Sequence, residues 1–222
     1  MTNLSIIIPA KNEPESLPFV LDEFKNLGHE VYVVLESEDK ATINSIKEKK
    51  CNIICQKKKG YGNAIIEGIY QTKTKYFCIF NADGSFEVNE IDLMLKKIET
   101  DNSDIVFGSR YEKNGYSEDD TIVTLFGNKI FTLIGRIFFS LKITDILYTF
   151  ILGKTEEVKN LSLHQKDFRF CVELPIKATK KGCKLSTIPS YEKKRIGGIK
   201  KVNAPKDGLL ILFKMIRMFF NK

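Results

Sequence analysis

Four times in the first eighty residues, a short run of apolar and β-branched residues gives way to a stretch with helical spacing. This alternation constrains the fold more than any other feature of the chain. Residues 4–8, 31–35, 51–55 and 76–80 read as buried strands, because each apolar run is short, unalternated and closed by a turn residue or a charge. Between them, residues 12–27 set Leu17, Val20, Leu21 and Phe24 at helical spacing ahead of Gly28, and 41–50 and 61–71 carry two further helices. The pattern continues with a helix over 88–98, a strand over 104–108, a helix over 168–180 and a strand over 185–191. Such alternation predicts an α/β fold with a doubly wound, mostly parallel sheet, helices on both faces, and ligands at the carboxyl ends of the strands.

The 222 residues suffice for one large domain, and nothing in the chain is repetitive, Pro-rich or Gly/Ser-rich. Five cysteines, odd in number and without a C-x-x-C pair, suit a reducing cytosol. The opening apolar run meets charge too soon for a signal peptide, so a cytoplasmic location is expected.

The net charge of +7 invites a nucleic-acid reading until its distribution is considered. Residues 193–222 hold nine Lys/Arg and one Asp, so the preceding body, with 26 basic and 27 acidic side chains, is neutral. A neutral body argues against nucleic acid as a partner. The basic end also carries ten apolar residues between Leu209 and Phe220, too few to span a bilayer but suited to an anionic membrane surface. Docking on the core is an equal alternative for this helix. The segment 121–141 is apolar around most of its circumference, and burial in the core is the favoured reading over contact with lipid.

Chemistry concentrates in Phe80-Asn81-Ala82-Asp83-Gly84-Ser85, which places an amide, a carboxylate and a hydroxyl directly after a buried strand. Oxygen ligands of this kind suit Mg²⁺ or Mn²⁺, which bind through one or two carboxylates plus substrate phosphates. By itself such a sequence is most often a plain turn.

The neighbouring motifs fall in a recognisable order: SIIIPAKNE at 5–13, VVLESED at 33–39, KKGYGNAIIEGI at 58–69, FNADGSF at 80–86 and GSRY at 108–111. Together with the apolar helix ending in KITD, FRFCVEL at 168–174 and RIGGIKK at 195–201, they resemble glycosyltransferase family 2, and within it the dolichol- and polyprenyl-phosphate sugar synthases. The resemblance implies a GT-A fold, Rossmann-like with a mixed sheet, over residues 1–206, with a C-terminal apolar and basic helix over 207–222. It also implies an inverting transfer from a UDP- or GDP-linked sugar to a lipid phosphate or a glycan, at the cytoplasmic face of a membrane.

Position by position, it puts Pro9, Ala10 and Glu13 at the nucleotide and Glu36 at the base, with Lys59, Gly60 and Asn63 at a helix start close to the donor. Asn81, Ala82 and Asp83 occupy the family's Asp-X-Asp motif, with Asp83 and Ser85 as metal ligands. Asn81 departs from that pattern and removes one negative charge. Arg110, Arg195, Lys200 and Lys201 match phosphate-binding positions, since guanidinium forks suit phosphate oxygens. Asp167 and Glu173 match acceptor-side carboxylates, against which stand a helix cap for the first and a helix-surface charge for the second. Two rival readings remain open: a transferase of the same fold acting on a glycan or protein hydroxyl, and a nucleotide-sugar-binding module weakened by Asn81.

Overall fold

Strand β1 (Leu4–Pro9) is the spine of the sheet, and all six of its residues are buried. Ile6 and Ile8 point to one face and Ile7 to the other, as the two-residue period of a strand requires, so the strand needs cover on both sides. Each such isoleucine contributes about 1.5–3 kcal/mol by leaving water. The computed structural model describes residues 3–198 and 200–220. Residues 1 and 2, Ile199 of the basic loop, and the last two positions of the expected 207–222 helix lie outside the described residues.

In parallel pairing, β2 (Glu30–Leu35) and β4 (Tyr76–Ile79) flank β1, with β3 (Asn52–Cys55) outside β2. Beyond β4 come β7 (Ile151–Lys154), β5 (Ile105–Ser109) and β8 (Leu185–Pro189), which gives the order β3-β2-β1-β4-β7-β5-β8. Only β7 runs against its two neighbours, so the sheet is mixed. A separate ribbon pairs β6 (Tyr116–Ser117) with β9 (Tyr191–Glu192).

Helices α1 (Leu17–Glu23), α2 (Lys40–Ser45) and α4 (Glu90–Thr100) cover one face. Helices α3 (Tyr61–Gln71), α5 (Ile122–Phe139), α6 (Thr155–Lys159), α7 (Phe170–Lys180) and α8 (Ala204–Phe220) cover the other. The helix expected over 12–27 shrinks to α1. Asn12 adopts a left-handed φ of 51°, and the Asn12 and Glu13 amides are taken by the Asp39 carboxylate and the Thr42 hydroxyl. The helix expected over 41–50 likewise ends at Ser45, after which Lys49 turns away to reach Asp22 at 2.6 Å.

The core reading of the 121–141 segment is overturned. Only 17% of α5 is buried, and Ile122, Val123, Phe126, Ile130, Leu133 and Ile137 are exposed. The inward stripe is partly polar: Asn128 donates to Asp145 at 2.6 Å, and Thr132 accepts the Ile146 amide at 3.2 Å. A helix with polar groups inward and apolar groups outward satisfies its hydrogen bonds on the protein side and leaves its apolar face uncovered.

The C-terminal helix docks through Ile211, Met215 and Met218, whereas Leu209, Phe213, Ile216 and Phe220 face outward. It lies beside α5, where Phe138 and Phe219 meet edge to face at 5.5 Å.

Candidate active site

At the carboxyl end of β4 the Phe80 amide still bonds to the Ile7 carbonyl, and the chain then turns through Asn81–Ser85. Phe80 and Phe86, T-shaped at 5.5 Å, pin both ends of this turn in the core. Asp83 Oδ1 accepts the Ser85 amide at 3.1 Å and the Ser85 hydroxyl at 2.7 Å. Asn81 makes a longer contact from Nδ2 to Ser85 Oγ, at 3.4 Å. Ala82 is buried beneath them.

The basic loop closes over this turn. The Lys193 amide donates to the Ser85 carbonyl at 2.8 Å and the Ile196 amide to the Asp83 carbonyl at 2.9 Å. Gly84, at φ 78°, leaves room for Ile196, whose Cδ1 would lie 2.5 Å from a Cβ there. Arg195 Nη2 reaches Asp83 Oδ2 at 2.7 Å, and its Nε and Nη1 are buried without a partner among the described residues. Lys201 pairs with Glu13 Oε1 at 3.0 Å, while Ser16 donates to Glu13 Oε2 at 2.9 Å. The fold therefore brings Glu13, Asp83, Ser85, Arg195 and Lys201 together. Lys200 turns outward to Asp119 at 2.8 Å.

Pro9 and Ala10, expected at the nucleotide, lie at the end of β1, and the Ala10 amide donates to the Val34 carbonyl. Glu36 leaves the end of β2 and is held by Lys11 at 2.9 Å and Lys59 at 3.1 Å. The hydrogen bond from Lys11, with that from Lys59, outweighs desolvation and keeps the Glu36 carboxyl below its ordinary range. Lys11 was not singled out by the sequence, although it sits inside the SIIIPAKNE motif.

Gly60 and Asn63, expected at a helix start close to the donor, do stand at the start of α3, Gly60 as its N-cap residue. The Gly62 and Asn63 amides both donate to the Lys166 carbonyl, at 3.0 and 3.3 Å, and the side-chain amide of Asn63 turns back to Lys59. A Cβ on Gly62 would stand 2.1 Å from the Gln165 carbonyl oxygen. The first amides of a helix need acceptors, and here the 165–167 segment supplies them.

The two residues expected on the acceptor side are engaged by the chain's own groups. Asp167 receives Arg169 Nε and Nη2 at 2.8 and 2.6 Å, and this pairing overcomes burial to hold its carboxyl low. Glu173 is fully buried, so the helix-surface reading is wrong. It accepts the His164 and Gln165 amides at 3.0 and 2.8 Å and lies within 2.9 Å of His164 Nδ1, 3.0 Å of Lys177 and 3.8 Å of Lys214.

Arg110 is clamped by Asp145 at 2.7 and 3.1 Å and Glu192 at 3.0 Å, over the ring of Tyr148. Burial pushes the Glu192 carboxyl up despite Arg110. These carboxylate partners were also missed, because residues 35 and 82 positions away leave no local pattern.

The model for glycosyl transferase family 2 matches residues 5–161 of this chain. A dolichol-phosphate mannosyltransferase of Pyrococcus furiosus is 28% identical over 186 residues, covering 78% of this chain and 52% of that protein. The chain thus spans about half the length of that relative. Glycosyltransferase AglJ of Haloferax volcanii is 21% identical across 96% of this chain and 70% of its own.

Among solved structures, glucosyl-3-phosphoglycerate synthase of Mycobacterium tuberculosis, in complex with Mn²⁺, UDP and phosphoglyceric acid, superposes with a TM-score of 0.76 at 11% identity, covering 98% of this chain and 78% of that one. Mannosyl-3-phosphoglycerate synthase of Rubrobacter xylanophilus gives 0.73 at 14% identity, over 97% of this chain and 72% of its own. At these identities the likeness speaks for the fold alone.

Proposed function

The chain belongs to glycosyl transferase family 2, and from that premise we propose that it moves a sugar, with inversion, from a UDP- or GDP-linked donor to a polyprenyl-phosphate-type acceptor at the cytoplasmic face of an anionic membrane. The observation that carries the donor half is the Arg195 guanidinium: two buried donors without partners among the described residues, next to the carboxylate at the strand end. Buried N–H groups are rarely left unpaired, and a diphosphate oxygen is the acceptor whose charge and fork geometry suit them.

The cluster fits a divalent cation of the kind that keeps few protein ligands. Asp83 would hold it, with Ser85 beside it, and the nucleotide's phosphates would complete the shell. In the free protein the Arg195 guanidinium holds Asp83 Oδ2, so a metal would compete with it until the diphosphate draws the guanidinium to itself. What Mg²⁺ or Mn²⁺ supplies when bound is neutralisation of charge developing on the departing diphosphate. The chain's own residues do the rest. Glu36, ionised, accepts an N–H from the base; Arg195 and Lys201 bind diphosphate oxygens; the loop over Gly84 excludes water from the reacting centre.

A phosphate acceptor is favoured over a hydroxyl because a lipid phosphate is already ionised and needs no general base. Asp167 is bound bidentately by Arg169, which holds its carboxyl low, and Glu173 is fully buried beneath its amide and cation partners, away from any acceptor hydroxyl. The outward apolar faces of α5 and α8 support the membrane half and a division in which 1–206 is the transferase body and 207–222 the interfacial helix.

The test is a screen of nucleotide-sugars by thermal shift with Mn²⁺, followed by transfer of the stabilising sugar to a short-chain prenyl phosphate. We expect one donor class to raise Tm only with metal, and product to form with wild type but not with Asp83→Asn. Equal turnover by Asp83→Asn would refute the metal assignment, and transfer to free sugar hydroxyls in preference to prenyl phosphate would refute the acceptor.

A further inference from the structure

Two lysines hold the Glu36 carboxylate, one on each oxygen. Lys11 Nζ lies 2.9 Å from Oε1 and Lys59 Nζ 3.1 Å from Oε2, and Lys59 also reaches Glu38 at 3.1 Å. The carboxylate is partly buried, whereas both lysine side chains are exposed.

Both lysines nevertheless leave from fixed backbone. On one flank of Lys11 the Ala10 amide donates to the Val34 carbonyl at 2.9 Å, and on the other the Asn12 amide donates to Asp39 at 2.6 Å. Lys59 sits in a turn that Gln56 closes by donating Nε2 to the Lys58 and Gly60 carbonyls at 3.1 and 3.0 Å. The Gln56 amide donates to the Leu35 carbonyl at 2.8 Å, which ties this turn to the residue before Glu36. Three segments thus set ammonium, carboxylate and ammonium together at the carboxyl ends of β1, β2 and β3, so that less ordering remains when a ligand arrives.

A carboxylate offers about four lone-pair sites, so Glu36 keeps acceptor capacity with both lysines in place. Lys11, and after it Lys59, hold its carboxyl below the ordinary range, so it accepts and does not donate. The edge offered to a ligand is therefore donor, acceptor, donor. Among the nucleobases, uracil carries the complementary order on its pairing edge: the O4 carbonyl, the N3–H and the O2 carbonyl. Thymine shares it. Guanine shows one carbonyl followed by two N–H donors and would set its amino group against a lysine. Cytosine and adenine bring no ring N–H for Glu36 to accept. A site that hydrogen-bonds each group of a substrate rejects an analogue that leaves one unpaired.

We propose that Lys11, Glu36 and Lys59 read the pairing edge of uracil, Glu36 accepting N3–H and the lysines donating to O2 and O4, and so select a uridine over a guanosine diphosphate sugar. The proposal rests on the donor reading given above and narrows it to one base.

The test is calorimetry with Mn²⁺ and five ligands: UDP, 5-methyl-UDP, N3-methyl-UDP, CDP and GDP. We expect UDP and 5-methyl-UDP to bind alike, and the other three about tenfold or more weakly, which is within the discrimination a matched base edge gives. N3-methyl-UDP is the sharpest probe, because it keeps the ring and the charge and replaces only the donated hydrogen. Glu36→Ala should bind UDP and N3-methyl-UDP within about twofold of each other, since the partner of that hydrogen is gone. Lys11→Met and Lys59→Met should each weaken UDP several-fold and GDP little. Both should melt like wild type, exposed ion pairs contributing little to stability.

Equal affinity for UDP and GDP, or for UDP and N3-methyl-UDP, would overturn the base assignment and leave the donor reading standing. Losses in the lysine variants that are equal for UDP, GDP and inorganic pyrophosphate would do the same, because they would mark a general attraction for phosphate. If no nucleoside diphosphate binds with Mn²⁺, the donor reading falls and the base assignment with it.

Discussion

Arg195 Nη2 stands 2.7 Å from Asp83 Oδ2, so the carboxylate expected to hold a metal is held by a cation of the chain's own. In the absence of nucleotide the two cations compete for that oxygen. Arg195→Gln is therefore expected to bind Mn²⁺ about tenfold tighter than wild type without nucleotide, a charged hydrogen bond being worth about 1.5–3 kcal/mol. With the donor present the sign reverses, because the diphosphate loses its guanidinium. Electron paramagnetic resonance of free Mn²⁺ measures the first effect and calorimetry the second; unchanged Mn²⁺ affinity would show that Arg195 does not compete.

The Glu36 carboxylate pairs with Lys11 and Lys59, and the role proposed for it is to bind rather than to react. Glu36→Ala should raise the donor KM by about tenfold with kcat close to wild type, the mark of lost uniform binding. Steady-state kinetics in both substrates decide it, and a pure fall in kcat would refute the role.

A methyl group on Gly62 would meet two backbone oxygens, those of Gln165 and Asp167, at 2.1 and 2.9 Å. Backbone cannot step aside as a flexible side chain can. Gly62→Ala should cost about 1–3 kcal/mol and lower Tm by several degrees. Because the 165–167 segment leads into α7, the variant should also expose that segment to limited proteolysis.

Asp104 supplies one pH-dependent contribution to the fold's stability. Burial alone would raise its pKa, but Lys154 at 2.8 Å and the Lys184 amide at 2.8 Å outweigh it and hold the carboxyl low. A depressed folded pKa stabilises above the unfolded value, near 3.9, and that contribution disappears as pH falls through the folded value. Asp104→Asn should therefore be about 1–2 kcal/mol less stable at neutral pH, with the gap closing toward pH 3 in urea melts.

Much of this was legible from local pattern. The strands around β1 show as short apolar runs, and Asp83 shows because its turn follows one of them. The antiparallel strand β7 was not legible: Ile151–Lys154 is a four-residue segment whose partners, Ile79 and Phe107, lie far off in sequence. The α5 segment misled because an apolar circumference signals an apolar surrounding without saying whether protein or lipid provides it. Its inward Asn128 and Thr132 carried the answer, but only the position of Asp145 gives them meaning. The helix-surface alternative for Glu173 failed for a related reason, since a carboxylate can be buried once amides and cations from three segments converge on it.

The reversed strand β7 has a consequence for how such a protein can change. Strand β5 delivers the chain to the carboxyl end of the parallel strands, and β7 starts from that same end. The forty-odd residues between them, with β6 and α5, thus leave and rejoin the sheet on its ligand side. The last third of this insertion, from Phe139 to Phe150, is packed in the core and must be kept, but its exposed part ahead of that could be lengthened or trimmed to remodel the mouth of the proposed acceptor site while the seven-stranded sheet stayed as it was.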